Sequence, residues 1–306
     1  RELAMERLPL EVLANILGRL PRSDRLSAAL SCKTFLAALN GSLPQAVSIT
    51  VHFAEKSTRA AIKGTGEASL TLCQCESHGS TLLLEQLLPH ISAKVVHLNV
   101  EDELMAGERL RDSSLHSILE GCRDAPLSTL AVQHVDFTDV RPWTLALLAS
   151  FNGLTEVFLE SCRLDESLLL RAVSASADCL RHIVVTDSLL ITDKLAAYLA
   201  RSCPNLEFFD VRRCKKVTAF SLVSLMEARL RRRHQMLTVN MEETGFDAQQ
   251  LEKCMASSLM PCGVEWRATR MQLELGRQRP ALLLEHPSQT GILGRSHYSS
   301  VWWLDG

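Results

Sequence analysis

Cysteine and histidine come closest together in Cys73-Gln74-Cys75-Glu76-Ser77-His78. Two thiols and an imidazole at such spacing become zinc ligands once a fourth ligand joins them. No second knuckle stands elsewhere in the chain, and Leu70, Leu72 and Cys75 already fall on the apolar series described below. The segment therefore reads as core packing with one exposed histidine, and no metal site is expected. A Cys–His nucleophile pair would carry a local signature, and none frames any of the ten cysteines. Neither G-x-G-x-x-G nor G-x-x-x-x-G-K occurs, and Gly64-Thr65-Gly66 reads as a turn. The chain is predicted to be non-enzymatic, with no catalytic residue and no cofactor.

The cysteines take their places from a repeat. The pattern L-x-x-L-x-L, with apolar substitutions, recurs at Val95-Leu98-Val100, Leu127-Leu130-Val132, Leu154-Val157-Leu159, Leu180-Ile183-Val185 and Leu206-Phe209-Val211. Weaker copies stand at Leu70-Leu72, at Leu237-Val239 behind His234, and at Val264-Trp266. The first residues of these L-x-L pairs lie 26 to 32 residues apart. Ile49 and Val51 mark an opening strand, out of period. Helical spacing predicts helices between the strands: Leu82 to Ile91, Leu115 to Leu119, Leu145 to Phe151, Leu168 to Val173, Lys194 to Leu199, Ser221 to Leu230 and Ala248 to Met255. Each unit is strand, loop, helix. One unit cannot bury its own apolar face, but a stack can, which predicts an α/β fold with parallel strands inside and helices outside.

Side chains alternate across a strand, so the leucines of L-x-L face the core and their neighbours face a concave surface. That surface is predicted to hold His97, Asn99, Glu101, Glu156, Phe158, Glu160, His182, Thr186, Phe208, Asp210 and Arg212. Aromatic residues with polar rims suit a protein partner.

Ahead of the repeats, Leu8 to Leu39 packs two or three short amphipathic helices into about thirty residues. Pro9 suits a first helical turn, and Leu10, Leu13, Ile16 and Leu17 follow at helical spacing before Leu20-Pro21 stops the helix. Ser23 or Asp24 can cap the next helix, and Cys32, Phe35, Leu36 and Leu39 continue as a third. So small a bundle buries too little apolar area to stand alone, which leaves an apolar face for a partner or for the rest of the chain.

Leu8-Pro9, Glu11, Leu13, Ile16-Leu17, Leu20-Pro21, Asp24, Leu26, Ser31-Cys32-Lys33 and Phe35 resemble the F-box without a gap, Phe35 standing where many members have Trp. Cys203-Pro204-Asn205-Leu206 leading into Phe209, Val211 and Cys214, and Ile191-Thr192-Asp193 before a helix, resemble the cysteine-containing leucine-rich repeats found behind F-boxes. Cys75 and Cys162 take the place of Cys214 in their own units. The resemblance implies a substrate-recognition subunit of an SCF-type (Skp–cullin–F-box) E3 ubiquitin ligase with a horseshoe of repeats. It implies Skp-adaptor contacts at Leu8, Pro9, Leu13, Ile16, Leu17 and Leu20, cullin reached through the adaptor, and a protein substrate on the concave face. The organisation so read is an F-box at 1–44, repeats at 45–275 and a cap or tail at 276–306.

Composition is consistent with this. The 306 residues are 46% hydrophobic and 22% charged, with a net charge of −2. That balance argues against a generic nucleic-acid binder. There is no apolar run of eighteen residues to span a membrane and no signal-peptide pattern at the start. Dispersed cysteines read as reduced core residues of a cytoplasmic or nuclear protein. Arg212, Arg213, Lys215, Lys216 and the run Arg229 to Arg233 sit at element ends, where cations favour a helix C-terminus. Trp302 and Trp303 are expected to cover the end of the stack.

Overall fold

The computed structural model describes residues 8–21, 24, 28–29, 33–43, 46–53, 59–63, 68–74, 87–102, 110, 112–232, 237–247, 249–250, 253, 270–275 and 280–285. The segment 75–78, the expected strand at Val264-Trp266 and the Trp302-Trp303 tail lie outside them. The chain opens with α1 (Leu10–Arg19), whose first turn is closed by the Pro9 carbonyl accepting the Val12 and Leu13 amides. Pro9 therefore stands one place before the first helical residue rather than within the turn. Leu20 is extended ahead of Pro21, as a residue preceding proline prefers, and the helix ends there. α2 (Lys33–Ser42) corresponds to the expected third helix. Of the expected second, only Asp24, Ala28 and Ala29 are described, all helical.

Strands and helices then alternate. β1 (Val47–Phe53), β2 (Arg59–Lys63) and β3 (Ala68–Gln74) precede residues 87–91, which are helical, and β4 (Val95–Asp102). After these come α3 (Asp112–Gly121), β5 (Thr129–Gln133), α4 (Pro142–Leu148), β6 (Glu156–Glu160), α5 (Glu166–Ser174), β7 (His182–Thr186), α6 (Asp193–Ser202), β8 (Phe208–Asp210), α7 (Ala219–Arg232) and β9 (Leu237–Asn240). β10 (Arg270–Leu275) and β11 (Pro280–Glu285) end the described chain. All the described strands form one sheet in the order β11-β10-β9-β8-β7-β6-β5-β4-β1-β3-β2. From β3 to β9 every pairing along that order is parallel. Burial alternates along β5 and β6, and Leu130, Val132, Val157 and Leu159 join the buried helical residues in one core. The result is a mixed α/β protein with an N-terminal helical region and a parallel sheet with helices on one face and an open face opposite.

Three registers differ from expectation. β1 lies between β3 and β4, with Ile49 opposite both Leu70 and Leu98, so Leu70 and Leu98 are not neighbours. Lys94 Nζ, just ahead of β4, donates to the Leu43 carbonyl at 2.8 Å and ties the end of the helical region to the start of β4. Val47, Ile49 and Val51 of β1 are buried beside it. At β9, Phe209 pairs with Val239 instead of Leu237. The unit's helix α7 is fourteen residues long, and an even slip of two positions leaves each side chain on its expected face. Last, β10 runs antiparallel to β9 and to β11, so the far end is closed by a reversed hairpin across the expected boundary at 275. Pro280 is tolerated because β11 is an edge strand.

Two devices repeat from unit to unit. His134, Ser161, Asp187, Arg213 and Glu243 all adopt positive φ, between 52° and 62°. Each stands just past its strand, and the first four amides donate to the next unit at Glu160, Thr186, Arg212 and Glu242. The second device is an acid at the first helical residue that caps the helix of the following unit. Asp112 accepts the Arg141 amide (2.9 Å), Glu166 the Thr192 and Leu195 amides (2.8 and 3.1 Å), and Asp193 the Thr218 amide (2.8 Å). Pro142 occupies that position in α4, and there α5 supplies its own cap, Asp165 accepting the Ser167 amide.

Cysteines form a third, partial series. Cys162 Sγ donates to the Val132 carbonyl (3.3 Å) and Cys214 Sγ to the Val185 carbonyl (3.2 Å). Ser188 takes the same place in the unit between, buried, with its hydroxyl unpartnered. Ser188→Cys is expected to stabilise the fold by about 1 kcal/mol, read as a shifted urea midpoint with an unchanged slope, because the longer thiol satisfies a buried donor. Burial pushes the Cys122 and Cys162 thiols up to about 12 and the Cys214 thiol to about 11. All three should resist alkylation in the native protein at mildly alkaline pH and react once it is unfolded in urea.

Candidate docking surfaces

α1 has an inner and an outer apolar side. Leu13 and Leu17 are fully buried, and α1 lies so close to α2 that a Cβ at Gly41 would come within 2.8 Å of the Ala14 Cβ. Leu13 and Leu17, expected to touch the adaptor, instead seal the module against its own core. One residue cannot do both in this conformation. Ile16 and Leu20 are half-buried against that core. Among the described residues of this region, the outward apolar surface consists of Leu8 (37% exposed), Pro9, Leu10 (48%) and Val12 (42%). Leu10 and Val12 were not among the expected contacts. Their signal was an apolar stripe wider than one buried face requires, with Val12 on its flank and Leu10 on the first turn.

On the open face of the sheet the register brings side chains into rows. His97, Thr129, Glu156, His182, Phe208 and Thr238 form one row, and Asn99, Ala131, Phe158, Val184, Asp210 and Asn240 the next. Glu101, Gln133, Glu160 and Thr186 form a third. The parallel ladder thus brings the expected residues together, with Arg212 just past β8. Accessibility separates them. His97, Asn99, Glu101, Glu156, Phe158, Glu160, His182, Phe208 and Arg212 are half-buried, whereas Val184, Thr186 and Asp210 are almost fully buried. Val184 and Thr186 sit beside longer register neighbours, Phe158 and Glu160. Asp210 lies under Arg212, whose Nε is 2.9 Å from its Oδ2. As direct contacts Thr186 and Asp210 are therefore corrected: Asp210 positions Arg212 rather than meeting a partner.

Glu156 is the hub of the first row. Its Oε1 is 2.9 Å from His182 Nδ1, and its Oε2 accepts from the Thr129 hydroxyl at 3.1 Å. His182 also packs edge-on against Phe208, with ring centroids 6.2 Å apart, and lies 3.7 Å from Glu207. The hydrogen bond from His182 holds the Glu156 carboxyl below its usual range against an opposing burial effect, helped by the charge of His182, by Thr129 and by His97. Its stabilising contribution is thus present above the ordinary carboxylate range and lost as pH falls through the lowered value.

Thr129 and His182 thus bond to different oxygens of the same carboxylate. Among the described residues no group of three histidine, cysteine or acidic side chains is placed to hold a metal. No helix of the described residues is long and apolar enough to cross a membrane.

The small helical module carries an exposed apolar strip, and the ladder behind it an open face of polar and aromatic side chains. The first segment has a family: the F-box domain model matches residues 5–43, so the chain carries an F-box. That domain points to a role as the adaptor-binding subunit of SCF ubiquitin ligase complexes, whose F-box proteins are generally non-catalytic. No curated protein matches the chain.

Proposed function

We propose that this chain is the substrate-recognition subunit of an SCF-type E3 ubiquitin ligase, and that residues 45–275 form a leucine-rich repeat horseshoe behind the F-box at 1–44. The observation that carries the reading is the F-box match at residues 5–43 together with the exposed strip Leu8, Pro9, Leu10 and Val12. The Skp adaptor covers that strip and brings cullin with it. The substrate, a protein, lies on the open face against His97, Glu156, Phe158, His182, Phe208 and Arg212. Catalysis belongs to the conjugating enzyme: a tethered target presents its lysines at high effective concentration. The complex works in the cytoplasm, the nucleus or both, as the reduced cysteines suggest.

Co-expression of the full chain with the Skp adaptor and cullin tests this. The expected result is one co-eluting complex, and proteins trapped with it in proteasome-inhibited cells that lose their ubiquitin when Phe158 and Phe208 become alanine. Failure to co-elute sinks the ligase reading. Co-elution with no ubiquitin change on any trapped protein leaves the alternative, a non-catalytic interaction scaffold.

A further inference from the structure

The loop edge where strands pass into helices carries its own surface, independent of the adaptor strip and of the open face. Leu189 (67% exposed), Leu190 (44%) and Phe220 (52%) are among the most exposed large apolar residues described. They sit on two adjacent units: Thr192 bridges to Lys216, and Asp193 accepts the Thr218 amide. Lys194 and Phe220 occupy the same second position of α6 and α7.

Charge decides the occupant. Three carboxylates of these units are engaged: Asp187 with Arg213 (3.3 Å), Asp193 with Thr218 and Ser221, and Glu166 with Thr192. The Lys194 and Lys216 side chains are exposed, and their ammonium groups have no hydrogen bond or ion pair among the described residues. Lys215, also exposed, donates to the Glu243 carbonyl. Lys194, Lys215 and Lys216 outnumber the exposed Glu243 beside Lys215 and leave a net cationic rim by these apolar side chains on a chain whose net charge is −2.

We propose that Leu189, Leu190 and Phe220, framed by Lys194, Lys215 and Lys216, dock an acidic, apolar-containing segment of a partner protein. The apolar side chains supply contact area, and the lysines select acidic residues and speed encounter. The test pans a random-peptide library against the full chain and measures the enriched peptides, fluorescein-labelled, by anisotropy. The expected peptides combine Asp or Glu with Leu, Phe or Trp, and their affinity falls as salt rises. Leu190→Ser with Phe220→Ser, and separately Lys194→Glu with Lys216→Glu, should each weaken binding at least about tenfold while the melting temperature holds, since all four side chains are exposed. The proposal is overturned by no enrichment, by enriched peptides without acidic excess, or by affinities unchanged in both variants. It is equally overturned if the two apolar substitutions abolish self-association or vesicle binding instead, because the surface then serves a second copy or a membrane. Adaptor capture is untouched by these variants, so failure here leaves the F-box reading standing.

Discussion

Asp193→Ala is expected to lower the unfolding free energy by about 3 kcal/mol, the cost of stranding buried donors that a carboxylate had satisfied. Asp193 accepts the Thr218 amide at 2.8 Å, the Thr218 hydroxyl at 2.7 Å and the Ser221 hydroxyl. Ser221 is fully buried, so water cannot replace the lost oxygen there. The same residue starts α6, where a negative charge favours the helix N-terminus. Asp193→Asn keeps one oxygen and should recover part of the loss. Glu166→Ala should behave alike, since Glu166 caps α6 through Thr192 and Leu195. Urea unfolding followed by circular dichroism reads both. A change within about 0.5 kcal/mol, the range of an ordinary surface substitution, would show that the inter-unit caps add nothing.

Leu10→Asp with Val12→Asp should leave the melting temperature unchanged and reduce adaptor capture at least about a hundredfold, because charges would replace the desolvated centre of the interface. Leu13→Ala should do the opposite first. It removes a fully buried side chain and destabilises the helical module by about 2–5 kcal/mol, losing capture only as the module unfolds. Measuring binding and melting together separates the two sides of α1. Equal capture by the double aspartate variant would show that the exposed strip is not the docking face.

The strands from Val95 to Val211 are legible in the sequence because period-2 burial leaves L-x-L as a direct trace. The open-face parity follows from the same trace, which is why His97, Glu156, His182 and Phe208 fall in one row. The order of β1 and β3 is not legible, because spacing within a strand does not say which strands lie beside it, and β1 pairs with both β3 and β4. The acid caps are equally silent, since each links residues 25 to 29 positions apart. Accessibility fails where pattern is blind to neighbours: Thr186 and Asp210 have the right parity and no free surface. In α1 the apolar stripe serves two masters, and spacing alone assigns Leu13 and Leu17 to the wrong one.

The place of β1 in the sheet has a practical meaning for domain exchange. A chimera spliced at the end of the docking helices would hand the recipient a foreign rail at the third position from that end, since Val47 to Phe53 is wedged between two partners. Grafts joined beyond Phe53, carrying that strand with its helices, preserve the seam on the donor side. They must then match the recipient at the two ladders flanking it, which makes Leu98 and Leu70 the positions to equalise when the module is moved.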